Sequence, residues 1–251
     1  MTTPAPTPTP LPAPSESATV LLLRDDPFEV LMVSRAARGA FASALVFPGG
    51  AIDPADADES WRKAVTDFDE VAQAERALRI GAIREVWEET GILLSPDADL
   101  LDAAPPRLGL GFRETLDATG AHLELNALTH FGHWITPLEE PRRFDTHFYL
   151  AVVDRDTIAE PDGQETLTAE WMIPAHAAEL AQSGERLIIF PTMLNLLRLA
   201  ESDSSAAAIE AAQARPRVTV TPIMALLEDG YRRVTIPAEA GYSVLEWTDR
   251  R

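Results

Sequence analysis

Residues Ala82 to Leu94 read AIREVWEETGILL, which sets Glu85, Glu88 and Glu89 within five positions, just before a glycine. Positions i, i+3 and i+4 share one face of a helix, so the three carboxylates repel one another. Gly91 stands where a helix ends in the left-handed C-cap conformation. The glutamates therefore fall in the last turn, where the macrodipole favours cations. Local electrostatics opposes the arrangement twice. One reading is a solvated acidic face, the usual fate of a charge run. The other is a divalent cation that offsets both penalties. Oxygen ligands in a chain with no cysteine point to Mg2+, Mn2+ or Ca2+. On a helical wheel Ile83, Val86 and Trp87 lie opposite the glutamates. Val71, Ala74 and Leu78, earlier in the same predicted helix, lie on their side, so the acidic face continues an apolar stripe toward a cleft. Gly81, at the changeover, would alternatively permit a kink.

Upstream, ATVLLLRDDPFEVLMVSR reads as a β-hairpin around Asp-Asp-Pro, and ALVFPGG as a third short strand ending in Gly49 and Gly50. AIDPADADES reads as an acidic loop, and the glutamate helix is expected to start between Asp67 and Glu70. Downstream, FRETLDATG is a short helix, THFGHWITP and FDTHFYLAVVD pair around LEEPRR, and TLTAEWMIP is a strand. AHAAELAQSG and PTMLNLLRLAESD are helices, the second opened by Pro191. An Ala-rich helix covers Ser204 to Ala214, and the remainder reads as short strands and turns. Strands and helices mix without regular alternation, which predicts an α+β fold with a mixed β-sheet.

Acidic residues number 40 against 21 basic, a net charge of -19, which repels phosphate backbones and argues against a nucleic-acid partner. A local cation can still reverse the sign inside one pocket. The absence of cysteine excludes disulfides, zinc–thiolate sites and cysteine nucleophiles. No apolar run reaches the length of a membrane span. MTTPAPTPTPLPAPSESA lacks the pattern of a signal peptide, and its Pro/Thr alternation predicts a disordered tail over residues 1–16. EWTDRR carries no lipidation or peroxisomal signal. A cytoplasmic setting away from membranes is the expectation. The five histidines show no HExxH spacing, there is no Gly-x-Ser-x-Gly elbow, and FPGGA lacks the Lys-Ser/Thr of a P-loop. Lone strand histidines read as structural, so none is assigned to a metal.

REVWEETGI (Arg84 to Ile92) matches the second half of the Nudix box, Arg-Glu-U-x-Glu-Glu-x-Gly-U with U aliphatic, and FPGG (Phe47 to Gly50) resembles the glycine pair that opens it. The chain thus resembles the Nudix hydrolase superfamily. The resemblance implies a Nudix-like sheet sandwiched between helices. It also implies Mg2+ or Mn2+ held by Glu85, Glu88, Glu89 and the Gly49 carbonyl, with a metal-activated water attacking a nucleoside-linked diphosphate. Arg84, Gly50 and Gly91 would support the metal helix. Glu85, Glu89 and Glu165 are the implied catalytic carboxylates. Glu165 is chosen for its place in QETLTAEW, and Glu170 is its rival.

The box is interrupted. The interval from Gly50 to Arg84 is 34 residues, 20 more than the family's 14. The glutamate expected eight before the arginine is replaced by Arg76, with Glu75 one place off. Together with VLMVSRAARGAFASALVFPGG, WITPLEEPRRFDTHFYLA and LIIFPTMLNLLRLA, this pattern resembles the coenzyme A diphosphatase-like branch. The implied substrate is coenzyme A or acyl-coenzyme A, cleaved to 3',5'-ADP and (acyl-)4'-phosphopantetheine. ADP-ribose, NADH, a nucleotide sugar, or a non-catalytic nucleotide-binding role are the alternatives. Arg35, Arg38, Arg142 and Arg143 are candidates to hold substrate phosphates through planar, bidentate contacts. Surface pairing and a hairpin corner are their plainer readings. Phe144 and Phe148 are expected in the core. The predicted division is a Nudix domain over 17–201, an insertion over 51–70, and an extension over 202–251 that covers the core or joins a second copy in a homodimer.

Overall fold

The computed structural model describes residues 13–35, 44–97 and 111–250. β1 (Ser15–Arg24) and β2 (Glu29–Arg35) form the expected hairpin. β1 is almost continuously apolar because both its faces are covered. Ala18, Val20 and Leu22 join one core cluster and Leu21 and Leu23 the other, as strand alternation requires. Ser15 and Glu16, assigned to the tail from sequence, pair with Phe144 and Asp145, so the ordered strand starts before residue 17. Residues 1–12 of the expected tail lie outside the described residues.

β3 (Leu45–Val46), β4 (Gly49–Ala51), β5 (Thr129–Ile135), β6 (Phe144–Val152), β7 (Thr166–Met172) and β8 (Thr219–Val220) complete one mixed sheet. Its main path is β3-β2-β1-β6-β5-β8, with β4 added to β1 and β7 to β2. β1–β6 and β5–β8 are parallel. α1 (Gln73–Thr90) and α2 (Phe112–Thr119) contribute to the core on one face. α3 (Pro174–Ser183), α4 (Phe190–Leu199) and α5 (Ser205–Ala214) cover the other. The layering is the predicted α+β sandwich.

The insertion is more ordered than a loop. It folds into two 3-10 turns, Pro54–Ala57 and Glu59–Lys63, whose first N–H groups are capped by the Asp53 and Asp58 side chains. Its apolar residues Trp61, Val65 and Phe68 enter the α1-side core. α1 consequently starts at Gln73, later than expected. The Asp67 carboxylate is instead spent on the N–H groups of Leu125 and Asn126, at 2.9 and 2.7 Å. α1 runs unbroken through Gly81. A Cβ there would lie 2.7 Å from both Asp56 Oδ2 and the Ile52 methyl, so the glycine lets the insertion approach the helix.

The 202–251 extension shares the main core. β8 lengthens the sheet, and a second antiparallel sheet of β9 (Ile223–Leu226), β10 (Tyr231–Thr235) and β11 (Glu246–Arg250) follows. The Asp25 carboxylate in the β1–β2 turn accepts from the Ser205 N–H and hydroxyl at 2.9 and 2.5 Å, which fastens the start of α5. Tyr242 is the central peg. Trp134 Nε1 donates to its hydroxyl at 2.9 Å, and that hydroxyl donates to Asn195 Oδ1 at 2.8 Å. The Arg198 guanidinium stacks 3.2 Å from the ring centroid. We expect Tyr242→Ala to lower the unfolding free energy by about 3–5 kcal/mol, through a cavity and two stranded polar groups. Tyr242→Phe should cost about 1–2 kcal/mol. Urea midpoints followed by tryptophan fluorescence measure both. An unchanged main midpoint with early loss of the extension alone would show two separate units.

Candidate active site

β4 lies antiparallel to β1, with Gly49, Gly50 and Ala51 opposite Thr19, Ala18 and Ser17. Both glycines answer to close approach. Gly49 has φ +154°, and a Cβ there would lie 2.4 Å from Ala18 O. A Cβ on Gly50 would lie 2.3 Å from Glu85 Oε2, so any larger residue would expel that carboxylate. Glu89, only 4% exposed, accepts the Gly49 N–H on Oε2 at 3.0 Å. Gly91 closes α1 in the left-handed conformation, φ +74°, and donates to Trp87 O.

The repulsion posed by the sequence is offset from within. Arg84 Nη1 donates to Glu85 Oε1 at 2.7 Å and to Glu88 Oε2 at 2.9 Å. Its Nε and Nη2 grip both oxygens of Asp56 at 3.0 and 2.9 Å, and Nη2 also reaches Ala51 O at 3.0 Å. Burial works against the Arg84 charge, but Asp56 and Glu85 outweigh it and hold the guanidinium above its ordinary pKa. Burial also pushes Glu85 above the usual carboxylate range. Arg84 opposes that shift, while Glu88 and Glu165 add to it. One guanidinium pairs with three carboxylates, and Glu89 adds a fourth on the same helix, so the site keeps an excess of negative charge. Hard oxygen donors around that excess suit Mg2+ or Mn2+. An ion drawing Glu85 and Glu88 together has to compete with Arg84 for one oxygen of each.

Asp56 corrects the sequence reading of the box. Counting back from the arginine leads to Arg76 and Glu75. Arg76 instead stacks 4.3 Å from the Phe68 ring centroid, and Glu75 pairs with Arg79 and Arg217, both at 2.7 Å. Counting forward from Gly50 leads to Asp56, the acid that Arg84 grips. The extra residues thus enter after this position, between it and the helix.

A family model, the NUDT19 Nudix domain, matches residues 64–199. The chain belongs to the NUDT19 Nudix domain family. Two relatives are the acyl-coenzyme A diphosphatases NUDT19 of Gallus gallus and Homo sapiens. The first is 29% identical over 70% of this chain and 62% of its own length, the second 27% identical over 69% and 60%. This chain thus spans about three fifths of the length of these curated relatives. The solved structure of a NUDIX hydrolase from Alicyclobacillus acidocaldarius superimposes with TM-score 0.65 at 28% identity, covering 79% of this chain and 96% of that one.

Other Nudix site candidates divide. Glu165 is exposed, beside a turn in which the Asp162 carboxylate accepts the N–H groups of Gln164, Glu165 and Thr166. Its charge acts on Glu85, so the fold brings it toward the array. The Cα of Arg35 pairs with Thr166, one residue from Glu165. The rival Glu170 forms an ion pair with Arg186 at 2.8 Å. Arg38 lies outside the described residues. Arg142 is exposed, and Arg143 Nε donates to Thr136 O at 3.1 Å, which closes the β5–β6 corner. That corner sits at the Ser15 end of β1, whereas Gly49 and Gly50 meet β1 at Thr19 and Ala18. Phe148 is core, as expected. Phe144 is not, being 37% exposed on the rim of the sheet.

The histidines are isolated in the sequence, yet the sheet gathers them. His133 and His147 face each other across β5 and β6, their rings stacked with centroids 4.1 Å apart. His133 Nε2 lies 2.5 Å from Asp145 Oδ1 and its Nδ1 lies 2.8 Å from Thr219 Oγ1. Burial lowers the pKa of both His130 and His147 to about 4, so both rings are neutral at pH 7. Among the described residues, His133, Asp145 and His147 are the trio whose ligand atoms lie within 4.8 Å of one another. A bulge between His130 and Gly132 changes the register of β5, so sequence spacing alone could not align its histidines with β6.

Proposed function

We propose that the chain is a divalent-metal-dependent diphosphatase that cleaves coenzyme A or acyl-coenzyme A into 3',5'-ADP and (acyl-)4'-phosphopantetheine. The observation that carries this reading is the acidic array in which Glu85 packs on Gly50, Glu89 accepts the Gly49 N–H, and Arg84 ties Glu88 to Glu85. The acyl-coenzyme A diphosphatase relatives support the choice of substrate. The three glutamates and the Gly49 carbonyl would hold Mg2+ or Mn2+, which would supply charge neutralisation for the diphosphate and a more acidic bound water. Arg84 fixes the spread of the carboxylates and need not touch substrate. Glu85, or Glu165 in the turn just before β7, is the carboxylate that orients or deprotonates the attacking water. Arg35, whose Cα pairs with Thr166, is the candidate for the substrate phosphates.

The test is incubation with coenzyme A, acetyl-coenzyme A, ADP-ribose, NADH and a nucleotide sugar, each with Mg2+ or Mn2+, and product separation by mass. Release of 3',5'-ADP by the wild type, absent in Glu88→Gln/Glu89→Gln, is the expected result. Cleavage of a different diphosphate alone would remove the coenzyme A assignment and keep the chemistry. Ligand binding without any turnover would make the chain a non-catalytic nucleotide-binding module.

A further inference from the structure

The histidine face of β5 and β6 has its own charged neighbours, Glu75 and Arg217, whereas the acidic array is organised by Arg84 and Asp56. We infer that His133, Asp145 and His147 form a second metal site, one that takes a late first-row divalent ion such as Zn2+ in preference to Mg2+.

The donor set supports that choice. Two imidazoles and one carboxylate suit Zn2+, Co2+ or Ni2+, while Mg2+ demands oxygen ligands. Asp145 and His147 are two apart on β6 and so share a face, and His133 is the cross-strand partner of His147. All three ride on paired strands, so their spacing is set by the sheet and not by a loop. Their side chains are 26%, 23% and 19% exposed, which leaves an entry route for an ion.

A supporting contact is also in place. A proton joins His133 Nε2 to Asp145 Oδ1 across their short contact; with an ion in that proton's place, His133 Nδ1–H would donate to Thr219 Oγ1, the contact that orients a ligating histidine. Thr219 lies on β8, so an ion here would link β5, β6 and the C-terminal extension. Tyr149, 1% exposed with its ring centroid 6.4 Å from that of His147, has a hydroxyl with no hydrogen-bond partner among the described residues. A water on the ion is the kind of group that satisfies such an orphan. Arg217, the nearby cation, is held by Glu75 at 2.7 Å.

The experiment is Zn2+ titration of the chelator-treated full chain against a chromophoric zinc indicator, in millimolar Mg2+. Co2+ is titrated in parallel and its visible ligand-field bands are recorded. One Zn2+ per chain is expected in the wild type and equally in Glu88→Gln/Glu89→Gln. His147→Ala should weaken it at least about tenfold and abolish the Co2+ bands. His176→Ala, which alters an exposed helix histidine, should bind as wild type. Asp145→Asn, near in shape, carries the same expectation of weakened binding, and circular dichroism checks that each variant is folded. Absence of Zn2+ binding would overturn the inference. So would its loss with the glutamate pair, or its persistence in both His147→Ala and Asp145→Asn.

Discussion

Asp56→Ala is expected to cost the folded state about 3–5 kcal/mol, the scale for removing one partner of a buried ion pair. Asp56 is 1% exposed and the Arg84 side chain 14%, so alanine leaves the guanidinium buried beside a hole. The same carboxylate accepts the Asp53 N–H at 2.9 Å, so the first 3-10 turn of the insertion loses its anchor too. Asp56→Asn, which keeps acceptor capacity but loses the charge, should fall between alanine and wild type. Urea midpoints at neutral pH give both values. A cost below about 1 kcal/mol would mean that the pair acts as an exposed surface pair. Catalysis should fall along with stability, because Arg84 then spreads Glu85 and Glu88 less firmly.

Glu85→Gln should do the opposite to stability while removing activity. If Glu85 is the general base, turnover drops about 10²–10⁴-fold. Yet burial raises the Glu85 pKa, so its ionised form opposes folding of the metal-free protein. A carboxyl with a raised folded pKa contributes stability below its unfolded pKa, and that contribution is lost as pH rises through the folded value. In a chelator, the glutamine variant should therefore melt above wild type, by a margin that widens as pH rises through that window. Added Mg2+ should stabilise wild type more than the variant and close the gap. Melting temperatures across pH 4–8, with and without Mg2+, read both effects. A variant that melts below wild type at every pH in chelator would show that the Glu85–Arg84 contact outweighs the burial cost.

Much of the fold can be read locally. The hairpin around Asp-Asp-Pro, the strand pair around LEEPRR, the Pro191 helix start and the Gly91 helix stop each follow from turn chemistry, periodicity or capping. The insertion reads as a loop because its short 3-10 turns have no long period to detect. Its apolar residues, Trp61, Val65 and Phe68, acquire a role only where a core exists to receive them. The extension likewise shows no periodic link to the sheet. Its attachment runs through Tyr242, whose partners Asn195 and Trp134 lie 47 and 108 residues away in sequence.

The sequence by itself determined the glutamate helix, its terminating glycine, the glycine pair and the α+β class, because each depends on neighbours within a turn or a strand. Only the tertiary structure decided which acid Arg84 grips, why Gly50 must lack a side chain, and that His133 meets Asp145 and His147. Those contacts join residues dozens of positions apart, or across a bulged register. Helical and strand periods carry no information about them until the chain has packed.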